Sequence, residues 1–186
     1  MTEVAAHVFA RSPIQVGDNL VLDTWHEGDI EWLYTSMQDP DIARWFPIPE
    51  PYTRDQAASW PGIVESRRRR GLGLSRVIRV DDGAVGSIDV HRVDWYARSA
   101  ELSYWTEASS RCHLHMTHAV EGITRWLIAA QLFERVELRM STDNLASQAV
   151  AKHCGFTFEG VARNAGYTHA ERLDLQIYSF VRADLA

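Results

Sequence analysis

Apolar residues recur along this chain with two spacings, which separate predicted strands from predicted helices. Alternation with period two predicts strands at residues 20–24, 74–80, 84–93, 101–105, 135–141, 156–163 and 173–181. Helical spacing predicts helices that begin after Asp29, after Thr53, near His113 and at Asn144. Residues 1–17 show neither spacing, so we expect an extended lead-in there. The element order β-α-α-β-β-β-α-β-α-β-β predicts a mixed α/β (α+β) fold.

One stretch, residues 101–120, joins a predicted strand to a predicted helix through a short polar turn. Leu102 and Tyr104 alternate with more polar neighbours, and helical spacing takes over near His113. The first amides of a helix have no intrahelical acceptor, and the helix dipole adds partial positive charge at the same end. A junction of this kind therefore favours anion binding.

The composition predicts one globular domain over residues 1–186. Hydrophobic residues make up 46% and charged residues 24% of the chain, as in ordinary soluble proteins. The net charge of -6 argues against a protein that coats DNA. No apolar run reaches the length of a membrane span, residues 1–10 lack the order of a signal peptide, and two cysteines are too few for a disulfide framework. We therefore expect a cytoplasmic protein with no DNA or membrane partner; a homodimer is compatible with the sequence.

Six short segments, in a fixed order, carry a resemblance to a known family. They are Leu20–Trp25, Asp39–Trp45, Pro51–Thr53, Val85–Ile88, Ser99–Trp105 and Asn144–Phe156. From about residue 19 to residue 184 the chain resembles the GNAT superfamily of N-acyltransferases, in particular the branch that acetylates the amino termini of ribosomal proteins. The resemblance implies the GNAT fold, a mostly antiparallel central sheet with flanking helices. In that fold the fourth and fifth strands splay apart, and the acyl carrier enters the gap between them.

The strand-to-helix loop departs from the family pattern. In the family it reads roughly Arg-Gly-x-Gly-x-Ala, and its amides hold the pyrophosphate of coenzyme A. Here Arg111 matches, but Cys112 and Leu114 replace the glycines, which let backbone amides approach a phosphate without a Cβ in the way. The resemblance implies acetyl-CoA or another acyl-CoA as donor, whereas the lost glycines argue against its usual pose. The residues that the resemblance assigns to the donor are Arg111, Cys112, His113, Leu114, Asn144 and Ser147.

Acyl transfer to an amine needs a base for the amine and a proton for the leaving group. Glu101 is the predicted general base, because similar enzymes carry a glutamate on this strand and partial burial raises a carboxyl pKa. The alternative is a structural pair between Glu101 and an arginine such as Arg98. Ser147 matches a serine that protonates the leaving thiolate in the family, and the tyrosine used for this elsewhere falls at Ala151.

The acceptor is expected to be a small-molecule or peptide amine, which the sequence does not identify. The family places the acceptor beside the proline-rich aromatic segment at residues 45–52 and the strands around the cleft. The residues predicted to line its site are Trp45, Tyr52, Asp89, His91 and Trp105.

Two further hypotheses compete with an acyl-CoA transferase. The run Arg67–Arg70 would form a cationic patch able to contact phosphate or RNA, which suits an aminoacyl-tRNA-dependent transferase that needs no pyrophosphate loop. The other is a non-catalytic binding protein that kept the fold. Cys112 suggests a covalent acyl-cysteine step, although no orienting base is specified. The histidines at 113, 115 and 118 have no carboxylate or cysteine spacing that completes a metal site, so no metal is predicted.

Overall fold

The computed structural model describes residues 9–131, 133–168 and 171–185. Within them, eight strands form one sheet in the order β1-β2-β3-β4-β5-β6-β8-β7. The strands are β1 Ile14–Val16, β2 Leu20–Asp23, β3 Leu74–Val80, β4 Gly83–Asp94, β5 Ser99–Thr106, β6 Arg135–Ser141, β7 Thr157–Tyr167 and β8 Arg172–Val181. The α-helices are α1 Ile30–Ser36, α2 Pro40–Ala43, α3 Arg54–Arg69, α4 His115–Ala129 and α5 Leu145–His153. Short 3-10 helices lie at Glu27–Asp29, Ala108–Ser110 and Arg182–Leu185.

The sheet is antiparallel except where β5 runs parallel to β6. These two strands pair from Ser99 opposite Arg135 to Leu102 opposite Leu138. Beyond that point β5 continues to Thr106 and β6 to Ser141 without pairing to each other. They are the fourth and fifth strands counted from Leu20, so the expected splay and the GNAT fold are confirmed. The gap where the strands part is called the cleft below.

Each face of the sheet carries its own core. On one face, α4 lays its apolar stripe, including Ile123 and Leu127, against Leu102 and Val136, all of which are excluded from solvent. On the other face, α1 and α3 cover β3 around Val77. The polar side of β5 belongs to this second face, as Trp105 packs with that cluster. Because residues alternate along a strand, Glu101 and Ser103 project to the same face as Trp105.

Two local features near the start of the chain were not predicted. Within the lead-in, Ile14–Val16 forms the edge strand β1, paired with β2, while residues 1–8 lie outside the described residues. Three residues are too few to show a period, so no alternation marks this strand. Asp29 precedes α1 but does not cap it, because its carboxylate accepts from the amide of His26 at 2.8 Å and from Arg79 at 2.9 Å.

Candidate active site

Glu101 lies on the cleft side of β5, just before the strands part, and is surrounded by cationic groups. Its side chain is 12% exposed, with Arg92 Nε at 3.4 Å and Arg139 Nε at 3.5 Å. Burial raises the pKa of Glu101, although the charges of Arg92 and Arg139 pull it down. The result is a carboxylate that is held in place, is shielded from bulk water and has an increased proton affinity.

Arg98, the partner that the sequence suggested for Glu101, points elsewhere. It lies in the turn before β5 with φ of 52°, and its guanidinium is 3.7 Å from Glu134. Glu101 does pair with arginines, but they are Arg92 and Arg139 and not Arg98, the example that the sequence suggested. The arginines that do contact Glu101 come from a bulge in β4 and from the neighbouring strand β6, which the linear spacing did not indicate.

Asp89 and His91 lie beside Glu101 on β4, where the register places Asp89 opposite Ser103 and His91 opposite Glu101. Asp89 Oδ1 is excluded from solvent and has no hydrogen-bond partner among the described residues. Burial raises the pKa of Asp89 to about 6, against a hydrogen bond from Ser75 that lowers it. Asp89 and Glu101 are therefore two carboxyl groups on neighbouring strands and on the same face of the sheet, each with an increased proton affinity.

His91 is neutral in this setting. Burial, followed by the nearby charges of Arg67 and Arg92, lowers the pKa of His91 to about 4. Its Nε2 is 3.8 Å from Glu101, which is too long for a hydrogen bond, and because the imidazole is uncharged the two do not form an ion pair at neutral pH. A neutral imidazole next to a carboxylate can accept or donate a hydrogen bond to an incoming polar group.

On the other side of the cleft, α5 presents Ser147. Asn144 begins this helix, and its Oδ1 accepts from the amide of Ser147 at 3.0 Å, which is the predicted capping contact. The hydroxyl of Ser147 lies 2.8 Å from the hydroxyl of Tyr104 on β5. The family resemblance indicated a tyrosine only at position 151, which is a buried alanine, so Tyr104 was not predicted. Its place two residues beyond Leu102, on the strand that borders the cleft, was the available signal.

The loop before α4 keeps the backbone shape that glycine favours although the glycines are gone. Cys112 has φ of 63° and Leu114 has φ of 62°, the left-handed region that costs a side-chain-bearing residue about 1 kcal/mol or more. The helix begins at His115, whose ring stacks on His113 with centroids 5.5 Å apart. The loop thus keeps a glycine-like backbone directly before α4, whose first amides have no intrahelical acceptor.

Arg111, the residue that matches the family loop, is engaged by α2. Its guanidinium binds the carboxylate of Asp39 and, at 2.9 Å, that of Asp41. Asp39 also caps α2 through the amide of Asp41. Two carboxylates thus offset the one charge of Arg111, and the loop is tied to the helix that precedes the proline-rich segment.

The four arginines at 67–70 do not form one exposed patch. Arg68 is 14% exposed, pairs with Glu65 at 2.8 Å and donates to the carbonyl of Phe9. Arg69 pairs with the same Glu65, and Arg67 is half-buried within electrostatic reach of Asp89. Since α3 runs through Arg69, successive side chains point in different directions. The premise of a single cationic patch for RNA is therefore wrong, and the hypothesis of a tRNA-borne donor loses the feature that suggested it.

The predicted acceptor residues fall into two places. Trp105 packs on Trp32 with ring centroids 5.1 Å apart, within the aromatic cluster under α1 and α3. Tyr52 lines an open groove of about 630 Å³ between α1, α2, the proline-rich segment and the β7–β8 turn. Trp45 lies just outside this groove, with Arg44 over its ring at 4.7 Å. The structure thus separates Asp89, His91 and Trp105, which lie on β4 and β5, from Tyr52 and Trp45, which lie in or next to the groove.

A family description of the GNAT acetyltransferase domain matches residues 19–157. The chain belongs to the GNAT acetyltransferase family. It is 23% identical over 174 residues to an uncharacterised N-acetyltransferase, YoaA, of Bacillus subtilis, covering 91% of this chain and 97% of that protein. It is 23% identical over 137 residues to the ribosomal-protein-serine acetyltransferase of Escherichia coli, covering 67% of this chain and 76% of that protein.

Solved GNAT structures share the fold closely. RimL, a ribosomal-protein acetyltransferase in complex with coenzyme A, superposes with a TM-score of 0.86 at 18% identity, covering 93% of this chain and 99% of that chain. MccE, a microcin self-immunity acetyltransferase in complex with acetyl-CoA and AMP, gives 0.86 at 22% identity, covering 92% and 97%. The chain therefore shares the fold of these enzymes.

Two features are absent from the part of this GNAT chain that the structure describes. No helix there is both long and apolar enough to cross a membrane. No group of three or more histidine, cysteine, aspartate or glutamate side chains in that part is placed to hold a metal ion.

Proposed function

We propose that the protein transfers the acetyl group of acetyl-CoA to a primary amine by direct attack within a ternary complex. The observation that carries this proposal is the position of the cleft between a buried carboxylate and a hydroxyl. Glu101 lies on one side where β5 and β6 part, and Ser147 lies on α5 at the other. The bound coenzyme A and acetyl-CoA in RimL and MccE support the choice of donor.

In this mechanism the carboxylate of Glu101 removes a proton from the acceptor ammonium, directly or through water. The free amine attacks the thioester carbonyl, and Ser147 supplies the proton that the departing sulfur needs. Because burial raises the pKa of Glu101, the base retains a useful driving force for proton removal near neutral pH. We assign the binding and orientation of the acceptor to Asp89 and neutral His91, which lie on β4 opposite Ser103 and Glu101.

We further propose that the acceptor is the amino terminus of a peptide, with its chain in the groove that Tyr52 lines. The groove has a mixed lining: Ile48 and Pro49 are apolar, Glu50 and Glu171 are acidic, and Arg44 is the one basic residue among the described residues that line it, which leaves a net negative charge. An extended peptide with a basic residue near its amino terminus suits that lining better than a small anionic metabolite. The similarity to a ribosomal-protein-serine acetyltransferase supports a peptide acceptor.

The first experiment separates the donor hypotheses. The protein is titrated with acetyl-CoA and, separately, with aminoacyl-tRNA while its thermal unfolding is followed. We expect acetyl-CoA to raise the melting temperature, since a ligand at 100 times its Kd adds about 2.7 kcal/mol to the free energy of unfolding. A shift with aminoacyl-tRNA alone would contradict the proposal, and no shift with either would favour a non-catalytic protein.

Glu101→Gln tests the base. With acetyl-CoA and a ten-residue peptide that begins with serine, we expect kcat to fall about 100-fold or more, while the Kd for acetyl-CoA changes less than twofold. The matched control is Glu134→Gln, which removes a carboxylate that pairs with Arg98 and Arg182 away from the cleft and should keep the wild-type rate. Equal rates for the two variants would remove Glu101 as the base.

A further inference from the structure

Tyr104 carries a hydroxyl that reaches across the cleft from β5 to α5. It lies beyond Leu102, the last residue of β5 that pairs with β6. Its oxygen is 2.8 Å from Ser147 Oγ and, in a longer contact, 3.4 Å from the carbonyl oxygen of Ser147. The shorter distance is the usual separation for a hydrogen bond between two hydroxyls. The contact therefore links the strand that carries Glu101 to the residue proposed as the acid for the leaving group.

Tyr104 is suited to hold its own proton rather than to give it up. Its ring packs against the buried core cluster of the α4 face, and burial raises the pKa of Tyr104 because a phenolate there would be poorly solvated. A phenol that stays protonated is a permanent donor. Ser147, by contrast, has one rotatable proton and two lone pairs, so the direction of its proton depends on its neighbours.

We propose that Tyr104 is a positioning residue: its hydroxyl donates to Ser147 Oγ and so turns the serine proton into the cleft, towards the sulfur of the departing thiolate. This inference rests on the proposed function. It assigns the rate contribution of Tyr104 to the collapse of the tetrahedral intermediate, and not to donor binding or to removal of the first proton.

The proton and electron balance leaves Tyr104 unchanged. The amine lone pair forms the new C–N bond, and the carbonyl π pair moves to oxygen. When the oxyanion re-forms the carbonyl, the C–S bond breaks and its electron pair goes to sulfur, which takes the proton of Ser147 Oγ. Ser147 recovers a proton from the nitrogen of the intermediate, directly or through water. The products are the amide and the free thiol.

The test is a double-mutant cycle with Tyr104→Phe, Ser147→Ala and the double variant, using acetyl-CoA and the same serine peptide. We expect Tyr104→Phe to lower kcat about tenfold with an unchanged KM for acetyl-CoA, which is the loss of one hydrogen bond in the transition state. In the Ser147→Ala background the same change should lower kcat less than twofold, since there is no serine proton left to orient. Tyr178→Phe is the matched control, because its buried hydroxyl bonds to Gln176 at 2.9 Å instead.

A second donor distinguishes orientation from loss of structure. An aryl thioester of acetate has a leaving group of low pKa that departs without a proton, so the tenfold effect of Tyr104→Phe should disappear with it. Equal losses with both donors, or additive losses in the cycle, would overturn the inference and leave the transferase function standing. If the wild-type protein were inactive with both donors, the proposed function would be overturned and, with it, this role for Tyr104.

Discussion

At the scale of single residues, two neighbours on β4 have pKa values displaced in opposite directions by the same burial. The pKa of Asp89 is raised to about 6 and that of His91 is lowered to about 4. Between about pH 4 and pH 6 the folded protein holds a proton on Asp89 that the unfolded chain releases, so this group's contribution to stability falls as pH rises. Over much the same range His91 is protonated in the unfolded chain and neutral in the folded protein. The contribution of His91 to stability therefore grows as pH rises.

The two contributions should therefore oppose each other in the wild type, and removing either should expose the other. For Asp89→Asn, the free energy of unfolding relative to wild type should increase from pH 4 to pH 6 by on the order of 2 kcal/mol. For His91→Asn the difference should decrease over the same range. Urea unfolding at intervals of half a pH unit measures both. If the free energy of unfolding of both variants and the wild type changed in parallel with pH, neither the pKa of Asp89 nor that of His91 would be displaced.

At the scale of elements, the loop from Arg111 to Leu114 combines a glycine-like backbone with bulky side chains. Leu114 has φ of 62° and is 57% exposed, so replacing it with glycine relieves strain and gives up little buried surface. We expect Leu114→Gly to raise the free energy of unfolding by about 1 kcal/mol and to lower the Kd for acetyl-CoA, because amides at the start of α4 become accessible to phosphate.

The control lies in the same loop. His113 is not among the residues with positive φ, so His113→Gly adds backbone freedom without relieving strain and should lower stability. Denaturant unfolding and calorimetric titration with acetyl-CoA measure both effects. If Leu114→Gly is more stable yet binds acetyl-CoA no better, the donor does not use the amides of this loop.

Elements with an uninterrupted period could be predicted from sequence, and contacts between distant elements could not. Strands β3 and β6 have the bounds that alternation predicts, Leu74–Val80 and Arg135–Ser141. The place of Glu101 beside the cleft followed from the family resemblance and the strand period together. Its arginine partners depend on a bulge in β4 and on the parallel register with β6, which no local pattern encodes. The same holds for Tyr104 and Ser147, which are 43 residues apart in sequence.

At the scale of the whole molecule, the parted strands divide the sheet into two halves that a donor would bridge. Residues 103–106 of β5 and 139–141 of β6 keep their outer partners, β4 and β8, but do not pair across the cleft. Amides that face the cleft have no strand partner there and should exchange readily with solvent. A donor that enters between the strands would occupy them and would also order the loop before α4.

Hydrogen exchange with and without acetyl-CoA should therefore show protection in three separate places: residues 103–106, residues 139–141 and the loop at 111–116. Strand β2, on the far side of the sheet from the cleft, serves as the internal reference, because its pairing with β3 is complete from Leu20 to Asp23 and should not change. Protection confined to the loop would indicate that only the diphosphate end binds. Protection spread evenly over β2 and the cleft would indicate general stabilisation, and the proposal that the donor lies between β5 and β6 would then be wrong.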